Sequence, residues 1–156
     1  MLVTLREITA DTVRSITDLA VRDDQQGFVA SNAVSLAQAL FQQEAWYRAI
    51  YYGDLPAGFV MLYDETLRPV PPAQPEVFLW RFMVDANFQG QGIGKAALGL
   101  VIAHVRSKGV FASIATSYVP APGSPEGFYL SQGFHHTGKM EDDEVVLELL
   151  LEPDGV

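Results

Sequence analysis

The strongest structural signal in this sequence is a glycine-rich loop, which reads Val84-Asp85-Ala86-Asn87-Phe88-Gln89-Gly90-Gln91-Gly92-Ile93-Gly94-Lys95. The residues before it, 76–84, are nearly all apolar, which is typical of a strand buried on both faces. The residues after it, 93–108, carry apolar side chains at helical spacing and stop at Gly109. Such a loop exposes backbone N–H groups at the positive end of a helix dipole, so it predicts a binding site for phosphate or pyrophosphate.

Three nucleotide-binding motifs compete for this loop. The P-loop needs Ser or Thr after its lysine, whereas Ala96 follows Lys95. The Rossmann pattern Gly-x-Gly-x-x-Gly, read from Gly90, needs glycine at the position of Lys95. The loop does match Gln-x-x-Gly-x-Gly, from Gln89 to Gly94. An isolated glycine-rich turn can also serve only as a tight connection between a strand and a helix. Whether this loop binds a ligand therefore has to be judged from the flanking sequence.

The Gln-x-x-Gly-x-Gly pattern resembles the acyl-CoA pyrophosphate loop of the GNAT acetyltransferase superfamily. The resemblance includes the strand 81–85, the helix after the loop, and the segment Phe128-Tyr129-Leu130-Ser131-Gln132-Gly133-Phe134, which is similar to the family's Tyr-x-x-x-Gly-Phe signature. Together these segments and their surroundings cover more than half of the chain. The resemblance implies an α/β fold with a mixed central sheet, in which the two central parallel strands splay apart.

Hydrophobic patterning and turn residues predict one domain, residues 1–156, with the element order β-α-α-β-β-β-α-β-α-β. Strands are expected at 2–8, 46–52, 58–63, 76–84, 110–118 and 144–151, and helices at 9–21, 34–44, 93–108 and 125–132. The acidic run 141–144 before the last strand is interpreted as a solvated hairpin loop.

The composition excludes several function classes. Ten Lys+Arg against nineteen Asp+Glu give a net charge of -9, which argues against a nucleic-acid partner and mildly favours a cationic one. The absence of cysteine excludes disulfides, thiolate metal sites and a catalytic thiol, and with three histidines we expect no metal. The sequence has no apolar run near the ~20 residues of a membrane span and no signal-peptide pattern, so we expect a cytoplasmic protein without a membrane partner.

The resemblance implies that acetyl-CoA is the cosubstrate. It assigns Phe82, Met83 and Val84 to the pantetheine arm, and the pyrophosphate to Gln89, Gly90, Gln91, Gly92, Ile93, Gly94 and Lys95. Lys95 fits equally well as a solvated lysine in the first turn of a helix. Ser124 stands where many relatives carry Asn, so its contact with the cofactor stays open, and a helix-capping role alone explains it.

The resemblance also implies catalytic roles. Tyr129 aligns with the family tyrosine that protonates the departing thiolate, a role that suits a phenol of pKa about 10; the alternative is a core aromatic side chain. The strand that faces the site carries no acid between Phe78 and Trp80, so Glu76 is the candidate base, with a surface glutamate as the alternative. Since there is no cysteine to form an acyl-enzyme, we expect direct transfer in a ternary complex.

For the acceptor, residues 25–39 and 79–85 look like the bacterial spermine/spermidine (diamine) acetyltransferase branch of the superfamily. The candidate acceptor contacts are Phe28, Asn32, Trp80 and Asp85, and a polyamine would also suit the nearby acids Asp23, Asp24 and Glu44. Trp80 could hold a cation over its ring or could simply pack in the core.

Several alternatives stay open at this point. The acceptor could be an aminoglycoside, a protein N-terminus or a lysine, or the chain could be a non-catalytic acyl-CoA-binding domain. A dinucleotide-dependent dehydrogenase is the remaining rival. The exposed final strand and the aromatic hairpin favour a homodimer.

Overall fold

A seven-stranded sheet forms the centre of the computed structural model, which describes residues 1–151. The strands are β1 (Val3–Arg6), β2 (Ala45–Tyr52), β3 (Leu55–Asp64), β4 (Val77–Val84), β5 (Ser113–Tyr118), β6 (His135–Glu141) and β7 (Glu144–Leu150). The α-helices are α1 (Val13–Thr17), α2 (Asn32–Ala39), α3 (Ile93–Ser107) and α4 (Glu126–Ser131), with short 3-10 turns at Asp23–Gln25, Glu65–Leu67 and Ala86–Phe88. The spatial order is β1-β2-β3-β4-β5-β7-β6, and β4 pairs with β5 in parallel while the other pairs are antiparallel.

The predicted mixed α/β fold is confirmed, with one strand more than the sequence suggested. The extra strand is β6, whose residues are mostly exposed and whose pairing with β7 shifts register between His136 and Met140. A polar edge strand of this kind shows no alternation for a pattern to detect. The acidic run is therefore the end of a tight hairpin, in which Glu141 closes β6, Glu144 opens β7, and Asp142 takes a positive φ of 52°.

Apolar side chains cover both faces of the sheet. Because side chains alternate along a strand, Val60 and Leu62 of β3 lie on one face and Phe59 and Met61 on the other. The first face packs against α3 and α4 and is called the α3 face. The second packs against Ile16 of α1 and the apolar side of α2, and is called the α1–α2 face.

Strand β4 departs from regular geometry on both of its edges. Against β3, Met61 pairs with Arg81 and Leu62 with Leu79, so Trp80 is an extra residue in a β-bulge. Against β5, the parallel ladder has two pairs, Phe78 with Ala115 and Leu79 with Thr116. The remainder of β4, as far as Val84, therefore has a free edge towards β5, which is the predicted splay.

The hydroxyl of Thr116 marks the point where β4 and β5 separate. It is buried and donates a hydrogen bond of 3.1 Å to the carbonyl oxygen of Leu79. Within residues 1–151, no helix is both long and apolar enough to cross a membrane.

Candidate active site

A cavity of about 1080 Å³ opens where β4 and β5 diverge. Its walls come from six regions: the segment between α1 and α2, strand β4, the glycine-rich loop with the start of α3, the end of β5, the loop before α4 with α4 itself, and the β6–β7 hairpin. The cavity therefore extends from the glycine-rich loop, past the free edge of β4, to the α1–α2 segment. A single space of this kind can hold a long cosubstrate at one end and a small acceptor at the other.

The glycine-rich loop presents backbone N–H groups to this cavity. Gly90 and Gly92 have φ values of 78° and 79°, a left-handed conformation that side-chain-bearing residues rarely adopt. Gly92 precedes the first residue of α3, so the first-turn N–H groups that follow it have no carbonyl partner within the helix. This arrangement suits an anion such as a pyrophosphate.

The members of the loop differ in where they lie. Those that line the cavity are Gln89, Gly90, Gly92, Ile93, Gly94 and Lys95, whereas Gln91 is exposed outside it. The side chain of Gln89 faces inward, because its amide nitrogen donates to Gln25 Oε1 at 2.9 Å and to the carbonyl oxygen of Val84 at 3.0 Å. Gln89 therefore fixes the loop, and the ligand-facing groups of the loop are backbone N–H groups.

The free edge of β4 lines the middle of the cavity. Phe82, Met83 and Val84 all contribute to the wall, as expected for residues beside a pantetheine arm. The Phe82 ring stacks on Phe128 of α4 with ring centroids 6.0 Å apart. Since the ladder to β5 has ended, backbone groups on this edge of β4 face the cavity rather than another strand.

Tyr129 enters the cavity from α4, on the α3 face of the sheet. Its side chain is 6% exposed and lies edge-on to Phe128 and Phe134, with centroid distances of 5.4 and 5.5 Å. Burial raises the pKa of Tyr129 to about 12, although a hydrogen bond with Thr116 opposes this shift. The phenol is therefore protonated at every pH at which the protein would be assayed. Ser124 also lines the cavity, and its Oγ accepts a 3.4 Å hydrogen bond from the backbone N–H of Glu126 at the start of α4.

Two of the four expected acceptor contacts line the cavity, namely Phe28 and Trp80. Asn32 does not, because it is buried and its Nδ2 donates to the carbonyl oxygen of Ile16 at 2.9 Å. Asp85 does not either, since its two oxygens accept from the backbone N–H groups of Ala20 at 2.8 Å and Asn87 at 3.0 Å. The structure thus places Asn32 and Asp85 outside the cavity, where each joins segments that are distant in the sequence.

The structure also moves other candidate acids away from the chemistry. Glu76 is exposed, precedes β4 and lies outside the cavity; its backbone N–H donates to Glu65 Oε1 at 2.8 Å. It therefore does not occupy the position expected of the base. Glu44 forms a 2.9 Å ion pair with Arg68 and accepts from the hydroxyl of Tyr63, so its carboxylate is engaged at the start of β2.

The polar residues of the cavity that the sequence reasoning did not assign to the site include Arg81, Ser117 and Glu144. The bulge at Trp80 turns two successive side chains, Trp80 and Arg81, towards the α1–α2 face. Arg81 accordingly donates to Gln38 Oε1 of α2 at 2.9 Å and lies over the Trp80 ring at 5.3 Å. Burial lowers the pKa of Arg81, while the charge of Glu144 opposes that shift.

Glu144 reaches the cavity from the first position of β7. Its Oε1 accepts a 3.3 Å hydrogen bond from Ser117 Oγ on β5, one residue beyond the last β4–β5 pair. The sequence pattern predicts a solvated hairpin loop at this position, because the approach of Glu144 to the cavity depends on the unpredicted strand β6. Glu141, its Cα partner across that hairpin, lines the outer part of the cavity and is exposed.

Known proteins resemble this chain along nearly its whole length. The chain is 29% identical over 153 residues to the spermine/spermidine N(1)-acetyltransferase of Bacillus subtilis (strain 168), covering 90% of this chain and 93% of that protein. The probable spermine N(1)-acetyltransferase of Bacillus subtilis subsp. natto (strain BEST195) matches with the same identity and coverage. Among solved structures, the PaiA N-acetyltransferase of Thermoplasma acidophilum in complex with coenzyme A has a TM-score of 0.68 at 13% identity, covering 96% of this chain and 99% of that chain.

The family assignment follows from the extent of the matching segment. The model of the acetyltransferase (GNAT) family matches residues 13–134, a range that includes β4, the glycine-rich loop, α3 and Tyr129. These are the elements that surround the cavity. This chain therefore belongs to the GNAT acetyltransferase family and is an acyltransferase.

Proposed function

We propose that this protein transfers an acetyl group from acetyl-CoA directly to a primary amine of a small, cationic, flexible acceptor, a polyamine or diamine of the spermine and spermidine class. One observation carries the proposal: a single cavity joins the glycine-rich loop and the free edge of β4 to a second end lined by Trp80 and Glu144. An aromatic ring and a carboxylate are groups that recognise an alkylammonium ion. The net charge of -9 also favours the approach of a cation.

The cosubstrate half of the proposal rests on backbone groups. The first-turn N–H groups of α3 would bind the pyrophosphate, and the free edge of β4 beside Phe82, Met83 and Val84 would pair with the amide groups of the pantetheine arm. A solved relative of the same fold, PaiA from Thermoplasma acidophilum, holds coenzyme A, which supports acetyl-CoA as the cosubstrate.

Tyr129 has the role of hydrogen-bond donor to the leaving sulfur. Its phenol keeps its proton because burial raises its pKa to about 12, so it can donate to the thiolate as the C–S bond breaks. The chain has no cysteine, so no acetyl-cysteine intermediate can form, and we infer that the amine attacks the thioester directly.

The polyamine acceptor is supported by the two Bacillus relatives, whose names specify spermine or spermidine acetylation. At 29% identity the match extends over 90% of this chain, so it includes the α1–α2 segment and β4 as well as the cosubstrate loop. The sequence similarity to these relatives therefore extends to the α1–α2 wall of the proposed acceptor end.

The test is an acceptor panel with acetyl-CoA, in which release of CoA thiol is measured. The panel contains spermine, spermidine, a short diamine, free lysine, an aminoglycoside and a peptide with a free N-terminus. We expect the highest kcat/KM with spermine or spermidine. Preference for the aminoglycoside or the peptide would refute the acceptor class, and CoA binding without turnover on any amine would identify a non-catalytic acyl-CoA-binding domain.

A further inference from the structure

The proposed transfer requires a group that takes a proton from the acceptor, because an alkylammonium ion has no lone pair with which to attack. The sequence offered Glu76 for this role, but Glu76 lies outside the cavity. The inference that follows rests on the proposed function and concerns the acceptor side of the same cavity.

Glu144 lies on the opposite side of the sheet from Tyr129. Ile114 and Tyr118 of β5 pack on the α3 face, so Thr116, which lies between them, is on that side of the sheet as well. Side chains alternate along a strand, so Ser117 points to the other face. Glu144 accepts from Ser117 Oγ at 3.3 Å and therefore stands on the α1–α2 side, with Trp80 and Arg81.

Glu144 also keeps one of its carboxylate oxygens without a partner among the described residues. Both oxygens of Asp85 accept from backbone N–H groups, and Glu44 is paired with Arg68. By contrast, Ser117 binds one oxygen of Glu144, and among residues 1–151 no hydrogen bond or ion pair occupies Oε2. An acceptor ammonium can approach that oxygen from the cavity.

We propose that Glu144 is the catalytic base of this enzyme: its Oε2 binds the acceptor's ammonium group and takes one of its protons. The freed amine then attacks the acetyl carbonyl, so a C–N bond forms and the C–S bond breaks. Tyr129 donates its proton to the departing sulfur, and the second proton on the attacking nitrogen returns to the Tyr129 phenolate. Each turnover leaves one proton on Glu144, which passes to solvent, and yields one amide and one CoA thiol.

The assay compares Glu144→Gln with Glu148→Gln, a matched control in the same strand. Glu148 also accepts from a serine of β5, Ser113 Oγ at 3.2 Å, and lies four residues along β7 on the same face, but outside the cavity. Steady-state kinetics are measured with spermidine, and CoA affinity by calorimetry confirms that each variant is folded. We expect kcat to fall about 100-fold in Glu144→Gln, the lower end of what a positioned base contributes, and to stay within about threefold of wild type in Glu148→Gln, because that change only replaces one hydrogen-bond acceptor.

The pH dependence of kcat distinguishes a base from a residue with a purely structural role, because loss of a structural contact would not change that dependence. The groups facing Glu144 are Arg81 on β4, Ser117 on β5 and Glu141 on β6, and of these only Glu141 is a second carboxylate. The activity of Glu144→Gln should recover as pH rises towards the pKa of an alkylamine, about 10.4 for a lysine-like group, because solvent then removes the proton.

The possible results separate this inference from the proposed function. If wild type fails on every alkylamine, the proposed function is wrong. If wild type is active and Glu144→Gln matches Glu148→Gln, the assignment of Glu144 is overturned. A rise in KM for spermidine with unchanged kcat would also overturn it, because Glu144 would then bind the ammonium without taking its proton.

Discussion

Replacement of Tyr129 by Phe isolates the contribution of one hydroxyl group to the transfer step. The ring contacts with Phe128 and Phe134 are kept, and the hydroxyl of Thr116 still donates to the carbonyl oxygen of Leu79. The variant therefore loses the donor to the leaving sulfur, together with the hydrogen bond between the phenol and Thr116. A hydrogen bond to a charged acceptor is worth about 1.5–3 kcal/mol, which at about 1.4 kcal/mol per tenfold corresponds to a 10- to 150-fold decrease in kcat.

The assay is the steady-state release of CoA with spermidine at saturating acetyl-CoA. We expect kcat of Tyr129→Phe to fall within that range, with KM for acetyl-CoA nearly unchanged. Because the pKa of Tyr129 is raised to about 12, the phenol is lost as a donor only as pH rises through that value, so wild type should show no decline from this group below pH 10.

Tyr118→Phe is the matched control for Tyr129→Phe. Tyr118 is also buried, burial and its hydrogen bond to Glu126 raise its pKa to about 12, and it lies outside the cavity. We expect it to keep its kcat. If Tyr129→Phe retains kcat within twofold while chemistry limits the rate, or if Tyr118→Phe loses as much, the reasoning about the leaving sulfur is refuted.

Three further predictions concern the glycine-rich loop, the ion pair between Lys108 and Asp64, and the half-buried imidazole of His104. Gly92→Ala has space for its Cβ but must keep a φ of 79°. We therefore expect a loss of about 1–2 kcal/mol in the free energy of unfolding and weaker CoA binding by calorimetry. The control Gly99→Ala, in the middle of α3, should bind CoA normally. Lys108→Met removes a 2.6 Å ion pair with Asp64, which is 1% exposed. We expect urea unfolding to show a loss of about 3 kcal/mol in the free energy of unfolding, part of which is recovered when Asp64→Asn is added. Full stability of the single variant would contradict this expectation. The pKa of His104 is lowered by burial and by the charges of Lys108 and Arg48, so the unfolded chain binds this proton more readily. The free energy of unfolding should therefore fall as pH drops below about 6.5, by at most about 1.4 kcal/mol per unit, until the lower folded-state pKa is passed. His104→Leu should remove this slope, and the exposed His135→Gln should leave it.

The cosubstrate half of the site could be predicted because it depends on local sequence. Glycine at positions 90 and 92 is required by a backbone that takes positive φ, and the requirement shows directly in the sequence. The position of Tyr129 also depends on local sequence, because it lies on a short helix that follows a proline-rich turn. The predicted homodimer stays a prediction.

The proposed acceptor half could not be predicted, because it depends on two irregularities of strand pairing. The bulge at Trp80 places Trp80 and Arg81 on the same face, although strict alternation would separate them. Pairing of strand β6 with β7 brings Glu141 and Glu144, which were expected in a solvated hairpin loop, to the cavity. Neither feature leaves a periodic signal, since one inserts a single residue and the other is a polar edge strand.

Asp85, which lies outside the cavity, helps to hold the segment between α1 and α2 in place. Asp85 follows β4 and accepts from the backbone N–H of Ala20, and the N–H of Ala86 donates to the carbonyl oxygen of Ala20 at 2.9 Å. Gln89 of the glycine-rich loop donates to Gln25 at 2.9 Å. The segment between α1 and α2 is thus joined by three hydrogen bonds to the residues that form the cosubstrate loop. Because that segment carries Phe28 into the cavity, any displacement of the loop also displaces the acceptor wall, so the two ends of the cavity are positioned together.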